Sequence, residues 1–373
     1  KSPFFIRQLL VHLAEGALIW PEQDRGWGWN LEAIAGARIP EDVLGMLSAK
    51  LERLPPGERA LLELAACVGE RFDLATLEAV ELPNGERLDR DALVARLHDL
   101  GRSGLIDALG QGYQFAHDRI RAALHDPLDP AARARLHWAI GQHLLERAGG
   151  AAKLAAQSGE QLFVVLDQLD EGLGSAELDD PARRELGELN LRAGARALNG
   201  AAWPAARRYF EHALTLLGAG DLRDRSRFAA YFGHAQALEL AGEGERATAA
   251  FDALLGQDIS LVDYAAVVAR RTRILVAAGQ TKQAFALARA GLQRCALDIP
   301  AKPSKPQLIF AIIKAWRLEK PLTRAQLLAL PVVHDERLCA TMSILLALEQ
   351  SAFSIDQELF VYVVAIQDRK SVV

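Results

Sequence analysis

Beyond Pro130 almost every segment spaces its apolar residues with helical period, and one finer spacing recurs there. A small residue is followed four positions later by an aromatic and three after that by another small residue. RAGARALNGAAWPAARRYFEHALTLL supplies Ala206, Phe210 and Ala213, with Gly194 twelve residues before Ala206. LAGEGERATAAFDALL supplies Ala247, Phe251 and Leu254; AAGQTKQAFALARAGL supplies Ala284, Ala288 and Gly291. Gly242 and Gly279 each lie five residues before the small residue, where a turn between paired helices is expected. Small residues let two helices approach closely, and the aromatic fills the gap to the next pair. This is the tetratricopeptide pattern, in which stacked pairs bury a continuous core and leave a concave face. The units are 41 and 37 residues apart, against the usual ~34, so longer connectors between pairs are expected. A generic array of helical hairpins with chance alanines is the alternative.

The first 39 residues read differently. Ser2 is placed to cap a helix and Pro3 to begin one, because the first helical position needs no N–H. Ile6, Leu9, Leu10 and Leu13 share a face, and Gly16 is expected to end the helix. Leu18–Trp20 and Trp27–Trp29 flank a polar turn with Gly26, which reads as a β-hairpin. A helix with an apolar stripe needs a surface to pack on, so the chain is expected to be a piece of something larger.

Residues 40–127 give four helices, the last three followed by a hairpin in the order helix, helix, helix, hairpin. EDVLGMLSAKLERL, PPGERALLELAACVG and FDLATLEAV are helical, and DRDALVARLHDLGRSGLI carries the stripe Leu93, Leu97 and Leu100. IDALGQGYQFAHD reads as a second hairpin around Gly110 and Gly112, and RIRAALH leaves it as a helix capped by Asp118. That order is the one of a winged helix-turn-helix. LDPAARARLHWAIGQHLLERAGG reads as one long helix, AKPSKPQ as a linker, and ERLCATMSILLALEQSAF and DQELFVYVVA as helices; IQDRKSVV breaks the pattern.

The expected fold is therefore all-α with two small β-hairpins: a winged-helix domain followed by a tetratricopeptide-like α-superhelix. The expected divisions are residues 1–39 (opening helix and β-hairpin), 40–127 (winged helix), 128–186 (connecting helices), 187–300 (repeats), 301–365 (further helices) and 366–373 (a truncated or foreign tail).

Of the 373 residues, 50% are apolar and 24% charged, with a net charge of −5. No uninterrupted apolar run approaches the ~18 residues of a membrane span, and no leader is apparent, so a cytoplasmic protein without a membrane partner is expected. Cys67, Cys295 and Cys339 lie far apart with no C-x-x-C, which suits buried thiols in a reducing compartment. No lysine follows a glycine, so the phosphate-binding G-x-x-x-x-G-K-[ST] loop is missing. H-E-x-x-H, H-R-D-x-x-x-x-N and G-x-S-x-G are missing too. His137 and His143, six apart on one helix, point away from each other and make poor co-ligands. The expectation is no catalytic residue, no metal site, no enzyme activity and no cofactor in this chain. Residues 40–127 hold 16 acidic against 10 basic side chains. DNA affinity draws mainly on phosphate neutralisation, so this balance disfavours a DNA-binding wing.

Three stretches together resemble one family. SPFFIRQLL is similar to the segment that follows the nucleotide-binding core in STAND-class signalling ATPases. YQFAHDRIRAALH resembles their winged-helix motif, and ELNLRAGARALNGAAWPAARRYFEHAL the start of their helical repeats. The likeness runs to about Ala365 and is nearest to bacterial proteins joining a serine/threonine kinase, an ATPase, repeats, a GAF domain and a histidine kinase. Lys1 stands where that family has glycine, and Ala116 where the related NB-ARC proteins have methionine. The resemblance implies that residues 1–39, a lid helix and β-hairpin, end an ATPase module, and that ATP or ADP, with Mg, binds its core upstream of residue 1. Pro3 would lie against the adenine. His117 would reach the β-phosphate of ADP and hold a closed state. Plain helix initiation for Pro3, and a bond to the hairpin backbone for His117, are the alternatives. Implied partners are the upstream core and a protein, peptide or small inducer on the concave face. A fragment of a STAND-type transcription activator is the other functional expectation.

Overall fold

A computed structural model of the chain describes residues 16–22, 26–36, 50–156, 160–318 and 334–371, with positions 6, 9, 10, 13 and 14 of the opening segment. Those five positions are helical. Leu13 is buried, whereas Ile6 and Leu10 are exposed. The residue that leaves the helix with positive φ is Ala17 (φ 51°), one past the expected Gly16. Its neighbour Leu18 N–H donates to Leu13 O at 2.8 Å, the six-to-one closure that follows a left-handed residue. Strands β1 (Ile19–Glu22) and β2 (Gly26–Trp29) pair antiparallel, Ile19 opposite Trp29, and helix α1 (Leu31–Gly36) follows. Most of the helix expected before Leu51 lies outside the described residues.

The chain divides into two compact units, Lys1–Asp179 and Asp180–Val373. In the first, α2 (Pro56–Val68) begins on a proline and buries Leu61, Leu62, Leu64 and Cys67. The helix expected over FDLATLEAV is shorter. Arg71–Asp73 forms strand β3 and only Leu74–Ala79 is helical (α3). Asp73 explains the boundary: its carboxylate accepts the Thr76 N–H at 2.7 Å as an N-cap. Helix α4 (Arg90–Arg102) is capped by Asp89 and buries Leu93, Leu97 and Leu100 completely. Strands β4 (Ile106–Leu109) and β5 (Gly112–Phe115) form the expected hairpin, and β3 adds to it on the β5 side in the order β3-β5-β4, all antiparallel. Phe72 stacks on Tyr113 at 6.2 Å and meets Phe115 at 5.3 Å, which ties the added strand to the core. Thus the second β element is a three-stranded sheet. Helices α5 (Asp118–His125), α6 (Pro130–Arg147), α7 (Ala151–Ala156) and α8 (Glu160–Gly172) complete the unit.

Helices α6 and α8 approach through two glycines. A Cβ on Gly141 would stand 2.7 Å from the Leu169 side chain, and one on Gly172 would run into the Trp138 backbone nitrogen. A flexible leucine can yield, but the helix backbone must move bodily. Gly172→Ala is therefore expected to destabilise the protein by about 1–3 kcal/mol, read by urea denaturation.

The second unit is built from consecutive helices: α9 (Asp180–Asn199), α10 (Trp203–Leu217), α11 (Arg225–Leu240), α12 (Gly244–Leu255), α13 (Leu261–Ala277), α14 (Thr281–Arg294), α15 (Lys305–Leu318), α16 (Glu336–Ile355) and α17 (Gln357–Ser371). The turns within the first three helix pairs, α9/α10, α11/α12 and α13/α14, close alike. Ala201, Gly242 and Gly279 occupy one left-handed slot two residues before α10, α12 and α14. In each turn the next N–H donates back five residues, the six-to-one closure: Ala202 to Ala197 O, Glu243 to Leu238 O and Gln280 to Leu275 O, at 2.8–2.9 Å. Ala206, Phe210 and Ala213, then Ala247, Phe251 and Leu254, then Ala284 and Ala288 are all buried. The extra residues of the long period lie between the pairs, at 218–224 and 256–260.

Two expectations change here. Lys305, Pro306 and Gln307, read as linker, form the first turn of α15, and α17 continues through Ser371, past the expected break after Ala365. Among the described residues one helix, α16, is long and apolar enough to cross a membrane, with a window mean hydropathy of 1.5. Interspersed Glu, Ser and Thr hide it from a search for unbroken apolar runs. It packs on α13 and α14 with Ala340, Ile344, Leu345 and Leu348 fully buried. The all-helical class with small β-elements holds.

Candidate functional site

His117 stands where β5 ends and α5 begins. The residue expected to cap α5 was Asp118; the structure gives that position to His117. Its backbone is extended (φ −162°, ψ 141°), and its Nδ1 accepts the Arg119 N–H at 3.2 Å. An imidazole nitrogen can act here because the neutral ring keeps one lone pair. With Nδ1 as acceptor, the ring proton sits on Nε2. The half-buried ring is thus held at the mouth of the hairpin with its N–H set by the cap. Losing a cap costs about 1 kcal/mol. His117→Ala should lower stability by that amount and His117→Asn should restore most of it, as thermal denaturation would show. Pro3 lies outside the described residues.

The opening hairpin carries an apolar face. Trp27, Trp29 and Leu31 are 58%, 60% and 69% exposed. With Leu10, Ile19 and Ile34 they line a cavity of about 600 Å³. Tryptophan at this exposure is unusual in a surface that meets only water.

In the second unit a groove of about 400 Å³ runs along α9 and α11, lined by Leu191, Asn199, Phe228, Phe232, Arg225 and Asp263. It offers aromatic walls together with a cation, a carboxylate and an amide, the mix that suits a peptide or a small polar ligand.

A third group is one that helix-by-helix reading missed. His137 does point away from His143, but its partner is on another helix. His137 Nε2 lies 3.2 Å from His125 Nε2, at the end of α5. His137 Nδ1 lies 2.8 Å from Gln168 Oε1 on α8, and Gln168 Nε2 donates to Cys67 O at 3.0 Å and Val68 O at 3.2 Å. Burial pushes the Cys67 thiol up to about 12. Burial also holds His137 below the usual imidazole range, against the opposing pull of the Gln168 hydrogen bond. The signal available in sequence was the presence of Cys, two His and Gln on faces that otherwise read as core.

Two of the three arginines of α4 are engaged. Arg96 forms a two-point pair with Glu86, one bond being Nη1–Oε2 at 3.0 Å, and Arg90 Nη1 lies 3.4 Å from Glu78.

No family model matches the chain, and no solved structure matches it. A curated relative, "Hybrid signal transduction histidine kinase G" of Dictyostelium discoideum, is 24% identical over 266 residues. The match takes in 58% of this chain and 8% of that much longer protein, so the chain is similar to one short part of a signalling histidine kinase.

Proposed function

We propose that the chain is a regulatory, sensory segment of a cytoplasmic signal-transduction protein, without catalysis of its own. In this reading residues 1–39 end an ATPase module, the sheet-bearing helical domain is a winged helix, and the second unit is a tetratricopeptide-like array. A protein, peptide or small inducer in the groove along α9 and α11 would move the winged helix relative to an upstream ATPase core. The core would hold ATP or ADP with Mg, and its exchange would set the output of a serine/threonine or histidine kinase elsewhere in the protein.

The observation that carries the reading is the order helix, strand, helix, helix, strand, strand, with His117 at the exit of the hairpin. In this reading the His117 Nε2–H donates to a diphosphate oxygen, a charge-assisted bond. The exposed tryptophan face of the opening hairpin suits a surface that an ATPase core would cover. The name of the similar histidine kinase supports signalling as the setting. The engaged Arg90 and Arg96 weigh against phosphate contacts by α4, so a packing use of the winged helix is favoured over DNA binding. The test is His117→Asn in the full-length protein. Loss of preferential ADP retention supports the reading, and unchanged retention refutes it.

A further inference from the structure

We propose that Cys67, His125 and His137 form a binding site for a divalent transition-metal ion, zinc by first choice. The site does not depend on the signalling role.

The three residues come from three helices: the last turn of α2, the last residue of α5 and the middle of α6. The Cys67 sulfur and one ring nitrogen of each histidine lie within 4.8 Å of one another. Cys67 and His137 are buried, and His125 is half-buried. Zinc bonds to imidazole nitrogen at about 2.0–2.1 Å and to thiolate sulfur at about 2.3 Å. Tetrahedral angles then put the two nitrogens about 3.4 Å apart and each nitrogen about 3.6 Å from the sulfur. The observed separation of the two Nε2 atoms, 3.2 Å, is close to the first of these.

The hydrogen bonds around the trio give the rings the right tautomer. Gln168 must turn its NH2 to the two backbone carbonyls of Cys67 and Val68, since these accept only. Its Oε1 therefore faces His137, and His137 Nδ1 must be the donor in that bond. The neutral His137 ring then presents a bare lone pair from Nε2. His125 Nδ1 lies 3.3 Å from the Asp126 carboxylate, which favours the same tautomer. With both rings in that tautomer the two Nε2 lone pairs face each other, and a cation held between them satisfies both. A metal-bound histidine ordinarily passes its other N–H to an amide, carbonyl or carboxylate, as both rings do here. On binding, the metal forms bonds to Sγ and the two Nε2 atoms and the thiol proton leaves to solvent. No oxidant or reductant is needed. The half-buried His125 side leaves the fourth position to water or an added ligand. Thiolate with two imidazoles selects zinc or cobalt over magnesium or calcium.

The test is a titration of the full chain, stripped by chelator under reducing conditions, with Co2+ and then Zn2+. One equivalent of Co2+ should develop the strong visible bands of a tetrahedral ion and an ultraviolet thiolate-to-cobalt band, and one equivalent of Zn2+ should bleach both. Cys67→Ala should remove the ultraviolet band. His125→Ala, at a half-buried position that tolerates truncation, should weaken zinc binding by about tenfold or more. A weak, sulfur-free octahedral cobalt spectrum in a chain shown to be folded by circular dichroism would overturn the proposal. So would a thiolate band that survives Cys67→Ala, since Cys295 or Cys339 would then be the source. If Cys67→Ala does not fold, an unchanged band in His125→Ala overturns it.

Discussion

Phe210→Ala is expected to lower the stability of the second unit by about 3–5 kcal/mol, the range for removing a buried aromatic ring. The ring is 3% exposed and is held between two glycines of neighbouring helices. A Cβ on Gly194 of α9 would lie 2.9 Å from it, and one on Gly233 of α11 would run into the ring. With the ring gone, neither glycine has a side chain to fill the space, so the cavity stays open and the upper part of the range applies. Gly233→Ala alone overpacks the same site and should destabilise by about 1–3 kcal/mol, outweighing the better helix propensity of alanine. Combined with Phe210→Ala, the added methyl enters the vacated space and the double variant should be more stable than the two single losses sum to. Urea denaturation of the four proteins closes the cycle. Strict additivity would mean that the ring and Gly233 do not share a packing site. Trp203→Ala, at a side chain 37% exposed, serves as the small-effect control.

That packing was legible in the sequence because it is periodic. Ala206, Phe210 and Ala213 announce a small–aromatic–small face, and Gly194 falls on the helix that the ring touches. Leu93, Leu97 and Leu100 were equally plain as a buried stripe. What escaped was set by single turns. Ala17 and Ala201 take left-handed backbone that a search for glycine overlooks, because a surrounding six-to-one hydrogen bond offsets the strain on an alanine. His117 caps α5 in place of the more usual Asp118, since its imidazole Nδ1 accepts the Arg119 N–H from one residue earlier. Arg71–Asp73 became a strand because β5 offered a free edge, a partner about forty residues away that local pattern cannot reveal. The Cys67–His125–His137 group escaped for the same reason on a larger scale. Its organiser, Gln168, is 101 residues from the carbonyl it holds.

The second large effect concerns nucleotide. On the proposed reading, a hydrogen bond from the His117 Nε2–H to the β-phosphate of ADP would join an imidazole N–H to a charged acceptor, a class worth about 1.5–3 kcal/mol. That converts to about tenfold to a hundredfold in ADP affinity. Asparagine at this position accepts the Arg119 N–H and so keeps α5 capped, but its shorter side chain carries no imidazole donor toward the phosphate. The comparison therefore separates a helix cap from a nucleotide contact, which His117→Ala alone would confuse. ATP should be less affected, because exchange for ATP is taken to release the contact and open the closed state.

The most direct measurement is ADP and ATP affinity, by calorimetry, for the wild-type and His117→Asn forms of the full-length protein in Mg-containing buffer. Weaker ADP binding by about tenfold or more, with ATP binding nearly unchanged and melting temperature preserved, is the expected result. Equal ADP affinities in the two proteins, or no nucleotide binding by either, would contradict the account.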